Sequence, residues 1–255
     1  MEESGSKPRW PRAFPSPIQI NALHLRNPVI IALWSAAFPG FGHLSLGSYI
    51  RGFLLVGWEI FINIKANLNL VILYTFTGRF HEAESAADVR WFGLYMAIYM
   101  FAIWDSYRSA LDLNKFSILA ERSSTPPVPF IMNSFEITYL AKRSPTVAMC
   151  WSALMPGTGH IYAHRVPTGA FLFVGWLFIL SQSHQPEVLH YTFLGEFAQA
   201  ASCSSPEWFL FLPSIYGYSI WNSYVHTIEC NKLFDAEQAA YLKKKYPLGM
   251  GKMPV

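Results

Sequence analysis

The sequence predicts an all-α integral membrane protein made of two tandem homologous repeats. Three observations predict this fold class. The chain is 52% hydrophobic and 16% aromatic but only 14% charged, whereas soluble domains carry about 25% charged residues. The apolar residues are concentrated in a few runs bordered by Trp, Tyr, Lys or Arg, as at a membrane–water boundary. Finally, one stretch of about ninety residues is written twice.

The duplication is visible as short motifs that recur 117 residues apart. Residues 34–36 return at 151–153, and residues 103–107 return at 220–224 with Asn222 in place of Asp105. Two copies are too few for a solenoid. We therefore expect two equivalent halves that pack as a pseudo-two-fold pair.

The Gly-Trp pair is the one motif that breaks the offset. Gly57-Trp58 matches Gly175-Trp176 with one extra residue, which predicts a single insertion between His160 and Val174. In that alignment Trp58 and Trp176 occupy equivalent places.

The chain divides into five predicted segments. These are a cytoplasmic N-terminal segment (1–25), membrane repeat 1 (26–115), a Pro-rich cytoplasmic linker (116–142), membrane repeat 2 (143–232) and a basic cytoplasmic tail (233–255). Short amphipathic helices are expected at 18–25 and 131–141, just before each repeat.

The first apolar run of each repeat is predicted to be a short half-membrane helix. It breaks after about eleven residues, at Pro39-Gly40 and again at Pro156-Gly157. A helix of that length covers about 16 Å, half a bilayer. Proline disfavours helix in the residue before it, and glycine can turn the chain. We therefore expect the chain to turn there and come back.

The second and third runs of each repeat are predicted transmembrane helices. Between them, both repeats contain Tyr-Thr-Phe-x-Gly-x-Phe, at 74–80 and 191–197. This aromatic segment is typical of an interfacial helix or lid, and a packed loop over the helix ends explains it equally well.

Basic residues predict the orientation. Residues 1–27, 111–144 and 232–255 hold most of the lysines and arginines, while 181–207 holds none. Cytoplasmic loops are enriched in basic residues, so both termini and the linker are expected inside. Each repeat then crosses an even number of times, which gives four crossings plus two short segments. The alternative is six crossings with the repeats inverted, as in many transporters.

Both repeats carry the motif Pro-Gly-x-Gly-His, and its residues are candidates for a structural turn or a ligand site: Pro39, Gly40, Gly42, His43, Pro156, Gly157, Gly159 and His160. The motif resembles the turn of small bacterial multi-pass membrane proteins and, more distantly, the bacterial two-transmembrane-helix hairpin domain. The resemblance implies a helical fold in a bacterial cytoplasmic (inner) membrane and no particular biochemistry.

Three intramembrane polar residues, Glu59, Asp105 and Asn222, complete the set of candidates. His43 and His160 are the only ionisable side chains kept in both apolar cores, and they serve either as structural hydrogen-bond partners or as ligands in a shared cavity. Glu59 aligns with Leu177, and Asp105 aligns with Asn222. Arg108 lies three residues after Asp105, a spacing at which the two charges can pair on one helix.

No catalytic set, nucleotide-binding loop, metal site or cofactor motif is found in the sequence. We expect no nucleic-acid binding, with the lipid bilayer and either other membrane proteins or further copies of the chain as partners. Three functions remain open: a non-enzymatic scaffold, assembly or regulatory subunit; a small transporter or channel with a site at the repeat interface; and a membrane enzyme using His43 and His160.

Overall fold

The computed structural model describes residues 12–122, 130–132 and 137–246, and these are mostly helical. The first half contains β1 Ala13–Ser16, β2 Gln19–Ala22, α1 Pro28–Ala37, α2 Phe41–Ser45, α3 Tyr49–Ala66, α4 Leu68–Phe76, α5 Phe80–Ala86 and α6 Val89–Arg122. The second half contains β3 Phe130–Met132, β4 Ile137–Tyr139, α7 Pro145–Leu154, α8 Thr158–Tyr162, α9 Val166–Gln182, α10 Gln185–Phe193, α11 Phe197–Cys203, α12 Pro206–Phe209 and α13 Leu212–Lys245.

The two halves have the same element order, with one difference in the last helix. The single helix α6 corresponds to two helices, α12 and α13. Pro213 stands in the first turn of α13, where repeat 1 has Met96. Proline has no backbone N–H and its ring clashes with the preceding turn, so the helix is interrupted in repeat 2 alone.

A β-hairpin precedes each repeat, where the sequence predicted short amphipathic helices. Ala13 pairs with Ala22 in the first hairpin, and Phe130 pairs with Tyr139 in the second, at the same offset of 117. In β2, Ile20 is buried while the next residue, Asn21, is exposed, which is the alternation of a half-buried strand. The helix prediction is therefore wrong for the described parts of both segments, while residues 133–136 lie outside the described chain.

The predicted break after the first helix of each repeat is present. α1 and α7 are ten residues long, with N-caps Asn27 and Ser144. Each ends at an extended residue, Phe38 or Met155, directly before a proline. This is the conformation that a following proline favours. The aromatic segments 74–80 and 191–197 contain the ends of helices α4 and α10.

An asparagine on each long helix holds the chain where it enters the repeat. Asn114 accepts a hydrogen bond from the Arg26 backbone N–H (2.8 Å) and donates one to its carbonyl (2.7 Å). Asn231 and Arg143 make the same pair of bonds at 2.9 and 2.8 Å. We call these pairs the asparagine clasps.

The two repeats point in the same direction. In repeat 1, α1 runs antiparallel to α6, since Arg26 meets Asn114 and the Ala36 carbonyl accepts from Tyr99. The same helix meets α13 with Trp34 beside Trp221 and with Phe38 beside Phe211. α13 therefore lies parallel to α6, unlike the inverted repeats of the six-crossing alternative.

The offset of 117 residues holds throughout, so the predicted insertion is wrong. Gly40 packs on Gly52 as Gly157 packs on Gly169. α3 and α9 then end at left-handed residues, Asn67 (φ 53°) and His184 (φ 54°), which are again 117 apart. A continuous helix with both ends in register has no place for an extra residue. Trp58 is therefore equivalent to Gly175, and Trp176 is equivalent to Glu59.

No described helix is by itself long and apolar enough to cross a bilayer. Three pairs of consecutive helices reach that length and composition together, and they bend by 64° (α3–α4), 88° (α5–α6) and 59° (α9–α10). The main core lies between the repeats, around Phe38, Phe41, Leu172, Phe211 and Tyr218.

Candidate functional site

In the Pro-Gly-x-Gly-His turn, the backbone of the turn packs directly on the backbone of the next long helix, α3 or α9. Gly40 and Gly157 have φ values of 103° and 97°, which L side chains rarely adopt. A Cβ on Gly40 would lie 2.6 Å from the Gly52 carbonyl oxygen, and one on Gly157 would overlap the Gly169 carbonyl oxygen. The turn therefore needs glycine both for its conformation and for space.

The turn directs each histidine at the long helix of its own repeat. His43 Nε2 lies 3.0 Å from Asp105 Oδ2, and His160 Nε2 lies 3.0 Å from Asn222 Oδ1. Both rings are fully buried. Carboxylate and amide oxygens only accept, so Nε2 carries the hydrogen in both rings. The structure thus joins four candidates into two equivalent pairs, which the sequence treated separately.

The Asp105 carboxylate is shared with Arg51, not with Arg108. Arg51 Nη1 lies 3.2 Å from Asp105 Oδ2, while the Arg108 guanidinium lies over the Trp104 ring at 5.4 Å from its centroid. The predicted pair on one helix is therefore wrong. α3 places Arg51 beside Asp105, and Arg108 points to the aromatic face of α6.

Repeat 2 carries its charge elsewhere, on the buried residue Arg165. This side chain is 5% exposed and donates to Asn222 Oδ1 at 2.8 Å, within its own repeat. It also donates to the Tyr49 hydroxyl at 3.2 Å and to the Leu44 carbonyl, both in repeat 1. All three acceptors are neutral.

Arg165 lies at the boundary of two adjoining cavities of about 240 and 170 Å³. The residues that line both are His24, Arg26, Arg165, His226 and Glu229. Glu229 is the one carboxylate among them, and Lys232 already binds it at 2.7 Å. Neither Arg26 nor Arg165 has an ion-pair partner in the described part of the chain. This space, which we call the arginine cavity, is therefore positively charged.

The electrostatics of the arginine cavity disfavour further positive charge. Burial and then the neighbouring Arg26 lower the pKa of His24 to about 3. Burial and then Arg165 lower the pKa of Arg26 to about 10. His24 is therefore neutral at pH 7, and an anion in the cavity would relieve the repulsion between the two guanidinium groups.

Glu59 lies in a third cavity, at the far end of α3. Its carboxylate is 5% exposed and accepts from Asn63 Nδ2 at 3.2 Å. Its other oxygen, Oε2, has no hydrogen-bond partner among the described residues. Tyr95 and Tyr99 line the same cavity of about 410 Å³. Glu59 is thus remote from the histidine pairs.

Sequence reasoning missed the two arginines of the cavity. Arg26 falls within the basic residues of 1–27, and Arg165 follows the second Pro-Gly-x-Gly-His motif; charge placement along the chain predicts neither to line a cavity. A usable signal was present, because Arg165 is a charge that repeat 1 lacks: its equivalent is Ser48.

No group of three or more His, Cys, Asp or Glu side chains in the described ranges could hold a metal ion. The chain matches no family model, no curated protein and no solved structure.

Proposed function

We propose that the protein is a non-enzymatic, multi-pass membrane protein that binds a phosphate-type anion in the arginine cavity between its repeats. The single observation that carries the anion site is Arg165: a buried guanidinium at the repeat interface, bonded to neutral acceptors only, with Arg26 in the same cavity.

The reversed distribution of polar and apolar side chains supports the membrane assignment. Fully buried positions include His43, His160, Ser35, Ser152 and Thr168. Large apolar side chains stand on the surface of the long helices, among them Leu54 (70% exposed), Met100 (62%) and Val174 (63%). A soluble protein buries its large apolar residues and rarely exposes a continuous apolar surface, whereas a bilayer favours this arrangement.

The fold suits four crossings with both termini on one side. We assign three crossings to the bent pairs α3–α4, α5–α6 and α9–α10, which reach the required length and composition only together. The fourth is assigned to α13, the counterpart of α6, while α1 and α7 reach only part of the way. The bent partners α4 and α10 then lie near the opposite interface. Both end in a phenylalanine that is almost fully exposed, Phe76 (87%) and Phe193 (88%). An exposed aromatic ring at this level is typical of the membrane interface.

The orientation is tested by labelling single cysteines in a chain whose Cys150, Cys203 and Cys230 are replaced by serine. A membrane-impermeant maleimide should label Glu121→Cys only from the inside and Ser202→Cys only from the outside. Labelling of both sites from one side would show that the four-crossing arrangement is wrong.

A phosphate group fits the donors of the arginine cavity. Guanidinium groups bind phosphate through paired, charge-assisted hydrogen bonds, and Arg165 has bonded only part of its five N–H groups. Both a free phosphate and the head group of an anionic lipid supply this chemistry. The role that follows is a regulatory or scaffold protein whose interface between repeats is set by the bound anion.

The anion site is tested by thermal unfolding of the purified chain in a zwitterionic detergent. Inorganic phosphate and a short-chain phosphatidylglycerol are added separately, with a short-chain phosphatidylcholine as control. A ligand at 100 times its Kd stabilises the folded state by about 2.7 kcal/mol. Stabilisation by phosphate indicates a free anion, and stabilisation by phosphatidylglycerol alone indicates a lipid head group.

Four variants sharpen this test. Arg165→Gln and Arg26→Gln should each abolish the stabilisation, while Arg79→Gln, an exposed arginine outside the cavity, should keep it. Asn222→Asp places a carboxylate beside Arg165 and should prevent anion binding without removing the arginine. Equal stabilisation of Arg165→Gln and the unaltered chain by both ligands would exclude the site.

A small transporter is the second candidate, favoured by Glu59. A buried carboxylate with a free oxygen lines a cavity on the opposite side of the aromatic layer formed by Phe38, Phe41 and Phe211. Ionisable residues inside membrane segments often mark substrate or ion pathways. Uptake of radiolabelled phosphate by proteoliposomes, lost in Glu59→Gln, would favour transport over binding alone.

A further inference from the structure

The interface between the repeats is one-sided. Repeat 1 contributes a surface that we call the front face: Trp34, Phe38, Phe41, Ser45 and Tyr49. Repeat 2 contributes a surface that we call the back face, and its members are Phe211, Ile215, Tyr218, Trp221 and Asn222. Three aromatic pairs join the two faces, and their ring centroids lie 5.1 Å apart for Trp34–Trp221, 4.2 Å for Phe41–Tyr218 and 5.9 Å for Phe38–Phe211.

A two-fold pair would make every one of these contacts twice, and the structure does not. The reciprocal partners of Trp34–Trp221 are Trp151 and Trp104, which are 48% and 56% exposed. The reciprocal of Tyr218 is Phe101, which is 51% exposed. The predicted pseudo-two-fold packing is therefore wrong, and the repeats pack head to tail, with a heterologous interface.

Head-to-tail packing leaves one face of each kind open at the ends of the chain. Repeat 1 has an open back face made of Leu94, Ile98, Phe101, Trp104 and Asp105. Repeat 2 has an open front face made of Trp151, Met155, Thr158, Tyr162 and Val166. Tryptophan stands at the same place on all four faces. Aromatic residues at the centre of a surface patch are typical of protein interfaces.

We propose that the open back face of one copy docks on the open front face of a second copy, repeating between chains the contact that already joins the two repeats. The occupant is a second copy because the complementary surface is present in the same chain and the packing of such a pair is already formed within it. This proposal depends neither on the anion site nor on the bilayer.

The second copy would also complete the His43 site. In repeat 2, Asn222 donates to Ser45 Oγ across the interface at 3.1 Å. The equivalent acceptor in repeat 1 is Asp105, a carboxylate, and the equivalent of Ser45 in the second copy is Tyr162. A tyrosine hydroxyl can donate to a carboxylate, so the pairing keeps a hydrogen bond with its direction reversed.

Each added copy covers one open face and presents another of the same kind. A heterologous contact therefore continues until a ring closes, or grows as an open chain if the rotation does not close. A simple isologous dimer is not expected from this geometry.

The test is site-specific crosslinking between differently tagged copies that lack the native cysteines. One copy carries Trp104→Cys and the other Trp151→Cys, and a short bis-maleimide is added to membranes that contain both. Crosslinked dimers should form from the mixture and not from either variant alone. A single chain with Trp34→Cys and Trp221→Cys is the positive control and reacts internally. Leu54→Cys mixed with Val174→Cys is the matched control for chance collisions.

Two results would overturn the proposal. Crosslinking of Trp104→Cys to itself would indicate an isologous contact. No crosslinking of the mixture, while the positive control reacts, would show that lipid or another protein covers these faces. Native mass spectrometry gives an independent readout, in which Trp104→Glu and Trp151→Glu should each reduce the assembly to smaller species while the thermal unfolding midpoint changes little.

Discussion

The His43 and His160 sites are two copies of one arrangement that hold their charge in different places. In each, a ring nitrogen lies 3.0 Å from an oxygen on the long helix. In repeat 1 that oxygen belongs to a carboxylate, which Arg51 neutralises at a position 65% exposed. In repeat 2 it belongs to an amide, and the cation Arg165 is buried at the repeat interface. The fold therefore needs an acceptor at this position and not a charge.

Because the turn needs only an acceptor, the charged side chain near each site can serve another purpose. Site 1 is neutralised within its own repeat. Site 2 keeps an arginine that reaches the other repeat and faces a cavity with Arg26. The same comparison holds at the start of each repeat, where Arg143, the equivalent of Arg26, stacks its guanidinium over Tyr162 at 5.5 Å. In repeat 2 the guanidinium of Arg143 is covered by a ring of its own repeat, whereas in repeat 1 the equivalent Arg26 faces the cavity.

The largest expected effect tests whether the two turns are equally strict. Gly40→Ala and Gly157→Ala should each destabilise the fold by about 3–5 kcal/mol, since an unfavourable φ costs about 1–3 kcal/mol and overpacking adds a similar amount. Urea unfolding followed by tryptophan fluorescence measures this. Gly57→Ala is the control, because its Cβ would meet nothing within 4 Å. A small loss of stability in only one of the two variants would show that the two turns are not equally dependent on glycine.

The next effect separates a structural histidine from a ligand. His43→Ala and His160→Ala should each cost about 2–4 kcal/mol, since they leave a cavity and remove the donor that a buried oxygen needs. Gln can restore part of that hydrogen bond and should recover about half of the loss in both repeats. If the double Gln variant unfolds normally yet no longer binds the anion, the histidines are part of the site.

A moderate effect concerns pH and comes from His24, which lies just before repeat 1 and lines the arginine cavity. The pKa of His24 is lowered to about 3 by burial and by Arg26, while the unfolded chain takes up this proton near pH 6.5. The unfolded state therefore binds more protons between these values, and stability falls as pH falls. The expected slope is at most about 1.4 kcal/mol per pH unit.

The pH effect has a built-in comparison. The position equivalent to His24 is Ala141, which does not titrate. His24→Ala should therefore reduce the slope of the unfolding midpoint against pH between 7 and 5. An unchanged slope in that variant would assign the acid sensitivity to another group.

The smallest effect is expected for the exposed charge of site 1. Arg51→Ala should cost less than about 1 kcal/mol, because exposed ion pairs contribute little. Asp105→Asn makes site 1 resemble site 2 and should be similarly mild, since the amide oxygen still accepts from His43. A loss of several kcal/mol on Asp105→Asn would mean that the charge, and not the acceptor, holds the turn.

Much of the architecture was predictable because the duplication gives each position an internal reference. The helix breaks at Pro39 and Pro156 follow from local chemistry alone, and the structure has them. For the pairs His43–Asp105 and His160–Asn222, the sequence identifies all four residues as candidates but does not pair them. Joining them required knowing that the turn sends the chain back against the long helix, which is a tertiary fact.

The errors had two physical causes. Gly57-Trp58 and Gly175-Trp176 are similar in letters but not equivalent in space, because the backbone crossing at Gly52 and Gly169 fixes the register more strongly than the shared pair does. The two-fold expectation failed for another reason: similar subunits can join through equal or unequal faces, and motif spacing does not distinguish these. The buried position of Arg165 was equally hidden, since it depends on the repeat that packs against it.

The asparagine clasps bear on the order in which the chain folds as it is synthesised. Each clasp joins residues 88 positions apart and closes entirely within one repeat. Repeat 1 can therefore complete α6 and hold its entry segment at Arg26 before the Asn231 clasp of repeat 2 has been synthesised. Repeat 2 then folds against a repeat 1 that is already formed. The order of translation therefore favours contact between the two repeats of one chain before contact with a second copy.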